Sequence, residues 1–81
     1  MSKELVFLEK VVSDILKKEN ISLSMEMTAP DVEGWDSLNH VQIIFTIEER
    51  LGVRFEVQEI QNLNTIGDLV KLISKYYPLK S

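Results

Sequence analysis

Cysteine is absent from the 81 residues, which removes disulfide staples, thiolate metal sites and a cysteine nucleophile together. Packing alone must hold the chain. Histidine occurs once, as His40, with no second imidazole or dense carboxylate set at ligand spacing, so no intrinsic metal site is expected. Basic charge is short as well: nine Lys and Arg stand against thirteen Asp and Glu, a formal charge of −4. That balance argues against phosphate-backbone binding and points to positively charged protein surfaces as partners, with no nucleic acid. No apolar run approaches the roughly 20 residues that cross a bilayer, and neither end carries a signal h-region, so the expectation is a cytoplasmic protein with no membrane span. Length excludes a large pocketed enzyme. One small core is expected, a single domain over residues 1–81, hiding about 60 to 65% of its extended surface.

Leu5, Leu8, Val12, Ile15 and Leu16 recur at helical spacing between Lys3 and Lys18, with Glu4, Glu9, Lys10, Asp14, Lys17 and Lys18 mostly on the other side. Phe7 and Val11 widen that stripe, and the helix should stop near Glu19 or Asn20. From Glu19 to Asp36 there are five acidic and no basic residues, with Pro30 and Gly34 and no sustained period. This predicts a long ordered loop anchored by Ile21, Leu23, Met25, Met27 and Val32. Asp36 is placed to cap a second helix in which Leu38, Val41, Ile44, Phe45 and Ile47 to Leu51 supply apolar positions, and Glu48, Glu49 and Arg50 the exposed side. Gly52 ends it. Val53, Arg54 and Phe55 form a short link, and Glu56 to Gln61 a turn or two of helix with Val57 and Ile60 inward. Thr65 and Asp68 resemble a capping box opening a last helix that carries Ile66, Leu69, Val70, Ile73 and Tyr76 and stops at Pro78. The expected fold is all-α: a small four-helix bundle with three main helices, one short helix and a long first loop.

Few residues invite chemistry. His40 reads as an ordinary surface or boundary histidine. Asp31, Glu33 and Asp36 read as a solvated acidic patch, and Trp35 either packs the loop against the second helix or joins a partner surface. Met25, Met27, Phe45 and Phe55 read as core or loop anchors, with an adaptable apolar cleft as the alternative. Ser37 is more informative. It puts a hydroxyl in the first turn of a helix, directly after the capping aspartate, where free N–H groups and the helix field favour a phosphate; taken alone, it also suits a plain polar N1 residue.

Asp36-Ser37-Leu38 at a helix head, then Val41, Ile44, Glu48-Glu49, Leu51-Gly52-Val53 and the restart Thr65-Ile66-Gly67-Asp68-Leu69, resembles the acyl carrier proteins over nearly the whole chain. The resemblance implies that Ser37 receives 4'-phosphopantetheine from coenzyme A through a separate magnesium-dependent transferase. The arm's thiol would then carry acyl groups as thioesters, and the reactive sulfur missing from the sequence would come from the cofactor. Asp36 and Leu38 would complete the attachment site. The chain would be a monomeric, non-catalytic carrier serving a phosphopantetheinyl transferase, an acyl-loading enzyme and a synthase or acyltransferase. Trp35, Asn39, Val41, Gln42, Glu48, Glu49, Glu56 and Glu59 would form the recognition surface. Gln42 stands where many fatty-acid carriers are acidic, Asn39 replaces the common aspartate, and Arg50 and Arg54 add opposite charge, which favours a narrower pathway. The alternatives are an aminoacyl or peptidyl carrier, and an unmodified helical interaction module. A small hydrolase is poorest, because Ser37 has no evident base.

Overall fold

Four helices and one 3-10 turn make up the computed structural model, which describes residues 3–76. They are α1 (Lys3–Leu16), the 3-10 turn Ala29–Asp31, α2 (Ser37–Leu51), α3 (Val57–Gln61) and α4 (Ile66–Tyr76). The all-α fold read from the periodicities is the observed one, and no strand occurs among the described residues. The expected stop at Pro78 lies outside them.

The hydrophobic stripe of α1 lies on both α2 and α4. Leu8, Val11 and Val12 are fully buried there, together with Ile43 and Ile47 of α2 and Ile73 of α4. Each such side chain contributes about 1.5–3 kcal/mol by leaving water. Val11 therefore sits at the centre of the stripe rather than on its margin. The helix stops at Leu16, short of the expected end near Glu19 or Asn20. Lys17 adopts a left-handed φ of 57°, Lys18 N–H turns back to Ser13 O at 3.1 Å, and Ser13 Oγ donates to Lys18 O at 2.8 Å. This is a Schellman-type ending without its usual glycine, at a cost of about 1 kcal/mol.

The long loop is held at both sides. Leu23 N–H donates to Glu9 Oε2 at 2.8 Å, so Glu9 leaves the solvent face assigned to it and ties the loop to α1. At the other side, Ile66 N–H donates to Met27 O at 2.7 Å and Gly67 N–H to Met25 O at 2.9 Å. Loop carbonyls thus satisfy helix-start donors that would otherwise face water. Gly67 is required by this approach, since a Cβ there would stand 3.0 Å from Met25 O. The expected Thr65–Asp68 box forms alongside: Thr65 N–H reaches Asp68 Oδ2 at 3.1 Å and Asp68 N–H reaches Thr65 Oγ1 at 3.1 Å.

Two inward assignments are corrected. Phe45 of α2 is exposed, and Ile43, which the pattern did not single out, is buried in its place. Val57 of α3 is also exposed, 67%; only Ile60 from that short helix packs against the core. The link before it follows expectation, with α2 ending at Gly52 and Val53 N–H bonding Glu48 O at 3.0 Å.

Candidate functional site

Ser37 is the first residue of α2 and is exposed. Asp36 caps the helix as expected, its Oδ1 accepting from Asn39 N–H at 2.9 Å and its carbonyl from His40 N–H at 2.8 Å. Asn39 Nδ2 reaches further back and donates to Gly34 O at 2.8 Å. His40 Nδ1 accepts from the indole Nε1–H of Trp35 at 3.0 Å. Gly34, whose φ of 92° suits glycine, Trp35 and Asp36 are each tied to the first turn they precede. Ser37 sits inside that clamp and is itself exposed.

Trp35 keeps only 6% of its surface accessible, which fits the packing role and leaves little of the ring for a partner to meet. Asn39, assigned to recognition, is half-buried and bonded within the corner. The clamp made by Asn39 and His40 was missed in the sequence. Its one legible sign was a large buried-type indole, a group that donates only and needs an acceptor nearby.

Beyond Ser37, the side of α2 turned away from the core is apolar. Leu38, Val41 and Phe45 are exposed at 67%, 51% and 66%, with Gln42 and Glu49 exposed among them. Next to this stripe lies a cleft of about 450 Å³ lined by His40, Val41, Ile44, Phe45, Glu48, Arg54, Phe55 and Ile60. It begins at His40, three residues or roughly 4.5 Å of helix rise past Ser37. Of the four side chains considered for a cleft, Phe45 and Phe55 line it. Met27 packs against the core as a loop anchor, and Met25 is exposed.

The acidic residues assigned to recognition separate into two kinds. Glu49 and Glu56 are exposed. Glu48 is half-buried, and its Oε2 accepts from Phe55 N–H at 2.7 Å, fixing the link. Glu59 accepts from Glu56 N–H at 2.9 Å, from Lys75 Nζ at 2.6 Å and from the Tyr76 hydroxyl at 3.3 Å. The Glu56 N–H and then Lys75 hold its carboxyl below the ordinary value of 4.5. These two glutamates fasten α3 to its neighbours and offer a partner little free charge. No group of three or more His, Asp or Glu able to hold a metal is found among the described residues.

A family model described as the phosphopantetheine attachment site matches residues 7–73. The chain belongs to the acyl carrier protein family. It is 32% identical over 76 residues to an acyl carrier protein of Acidothermus cellulolyticus, covering 91% of this chain and 90% of that one. It is 30% identical over 69 residues to one from Clostridium perfringens, covering 85% and 91%. The solution structure of a holo acyl carrier protein from Geobacter metallireducens superposes with a TM-score of 0.84 at 31% identity, covering 93% of this chain and 86% of that one. Carrier function in general follows from that membership. The corner suits the family's cofactor on physical grounds as well. An accessible hydroxyl stands at the positive end of a 15-residue helix, where the N–H groups of the first turn favour a phosphodiester, beside apolar surface for an organic arm.

Proposed function

We propose that Ser37 is the attachment point of 4'-phosphopantetheine and that the protein carries acyl groups as thioesters between biosynthetic enzymes. The observation that carries this reading is the exposed Ser37 hydroxyl at the head of a capped helix, within the span matched by the family model. In loading, Ser37 Oγ bonds to the pantetheine phosphorus of coenzyme A and the phosphoanhydride bond breaks. Adenosine 3',5'-bisphosphate leaves, and the hydroxyl proton passes to a base of the transferase, which also supplies the magnesium site. His40 does not compete for that role, because its acceptor nitrogen already holds Trp35. The arm, once attached, supplies the thiol that the polypeptide lacks.

The chain is thus a substrate of its transferase and a carrier for its loading enzyme and synthase or acyltransferase. Leu38, Val41 and Phe45, with Gln42 and Glu49, form the surface those partners meet. An apolar stripe edged by one carboxylate favours partners with an apolar contact patch and fewer cations than a strongly acidic helix would select. Asp36 keeps the helix head in place, and the α2–α3 cleft shelters the apolar part of the cargo.

The test is intact-protein mass spectrometry after incubation with coenzyme A, magnesium and a broad-specificity phosphopantetheinyl transferase. The parent protein should gain one phosphopantetheine and Ser37→Ala none, with both showing the same helical circular dichroism. Phe45→Ser should still be loaded at saturation but with a lower kcat/KM. Gain of mass by Ser37→Ala would remove the serine assignment, and an unchanged kcat/KM for Phe45→Ser would remove that side chain from the transferase surface.

A further inference from the structure

His40 lies three residues after Ser37, and a side-chain hydrogen bond to it runs across the attachment serine from Trp35. An indole N–H can only donate, so His40 Nδ1 must be unprotonated and the imidazole proton must sit on Nε2. The two rings are 6.1 Å apart and tilted by 33°, meeting edge to edge through the N–H rather than face to face. A proton added at Nδ1 would set donor against donor. It would also bring a cation to the positive edge of the indole, where no cation–π attraction is available.

We propose that His40 is a positioning residue for Ser37: its Nδ1 holds Trp35, and through Trp35 the chain leading into Ser37, so that loading of Ser37 depends on the imidazole being neutral. This rests on the reading of Ser37 as the attachment serine. The geometry gives the bond its leverage, since Trp35 is two residues from Ser37 and buried, and its release frees the Gly34–Asp36 corner on one side. The charged groups sharing the His40 cleft are Glu48 on α2 and Arg54 on the link, while α3 presents Ile60 there. Asp36, one turn before His40 on the same helix, meets it through its carbonyl. Burial holds the imidazole below its ordinary value of 6.5. The neutral, bonded form is therefore complete above that value and is lost as pH falls through the folded pKa.

The experiment uses the full chain in two readouts. The first is the indole N–H resonance of Trp35, the sole tryptophan, followed by 15N NMR against pH without transferase. It should titrate with a midpoint below 6.5 in the parent and stay flat in His40→Asn, whose Oδ1 replaces Nδ1 as a non-titrating acceptor. The second is the rate of phosphopantetheine loading of parent relative to His40→Asn at each pH, a ratio that cancels the transferase's own pH dependence. It should be near one above neutrality and fall by about tenfold in the acid range, the loss expected for one hydrogen bond. His40→Leu should load slowly at every pH while keeping its helical circular dichroism.

An indole resonance indifferent to pH would overturn the bond. A titrating indole with a constant loading ratio would overturn the positioning. No mass gain by the parent at any pH would instead overturn the attachment reading and the positioning with it, with the indole titration still reporting the bond separately.

Discussion

The corner before α2 and the fastening of α3 are both side-chain clamps on irregular backbone, but they are made of different chemistry. At the corner, Asn39 and His40 use neutral groups to hold Gly34 and Trp35, and one buried indole supplies most of the burial. Around α3, two carboxylates do the holding: Glu48 on Phe55 N–H, and Glu59 on Glu56 N–H, Lys75 and Tyr76. Phe55 and Tyr76 meet beside them at 5.6 Å. The neutral clamp contains an imidazole that burial holds below its ordinary value of 6.5, whereas in the ionic one the Glu56 N–H and Lys75 hold the Glu59 carboxyl below 4.5. The attachment end is therefore adjustable in the range where the α3 end is constant.

The largest test of this contrast is Trp35→Ala. Removing a nearly buried aromatic should cost about 3–5 kcal/mol, read as a lower midpoint in thermal or urea unfolding. A loss below about 1 kcal/mol would mean that the corner does not depend on the indole. Asn39→Ala removes one bond to Gly34 O and leaves that carbonyl to solvent, so about 1 kcal/mol is expected. It should also slow loading, because the same corner loosens from its other side. A stability loss equal to that of Trp35→Ala would show the polar clamp, not burial, to dominate.

Glu59→Gln should have the smallest effect and the most specific pH signature. The carboxyl of Glu59 is held below 4.5, so its contribution is present above that value and disappears as pH falls through the folded pKa. The variant should be less stable than the parent at neutral pH, with a difference that shrinks on acidification and in high salt, where the exposed ammonium of Lys75 is screened. A difference that persists unchanged into acid would locate the effect in packing rather than charge.

Much of this was legible in residue order. α1, α2 and α4 show themselves by period, and Asp36, Gly52 and the Thr65–Asp68 pair behave as their types predict. The sidedness of α2 was not legible, because the helix carries two apolar stripes. Ile43, Ile44, Ile47 and Leu51 face the core, while Leu38, Val41 and Phe45 face out, and spacing alone cannot say which is covered. The early stop of α1 escaped because Lys17 adopts a conformation usually marked by glycine. Glu48 and Glu59 looked like free surface charge because the Phe55 N–H that engages the first, and the Lys75 and Tyr76 of α4 that join the Glu56 N–H on the second, leave no mark in the sequence around them. The attachment serine was legible through its neighbours, whereas the bond across it from His40 to Trp35 required coordinates.

The two bonds from α4 to Met25 and Met27 also bear on how the chain folds. They join the loop before Ser37 to residues 66 and 67, a separation of about 40 residues whose closure costs roughly 3 kcal/mol of chain entropy. Non-local closures of this kind slow folding. A nascent chain that has made α1 and α2 but not yet α4 lacks the donors that seat this loop. Docking of its middle therefore belongs to the last stage of folding, after the segment beyond α3 has been synthesised.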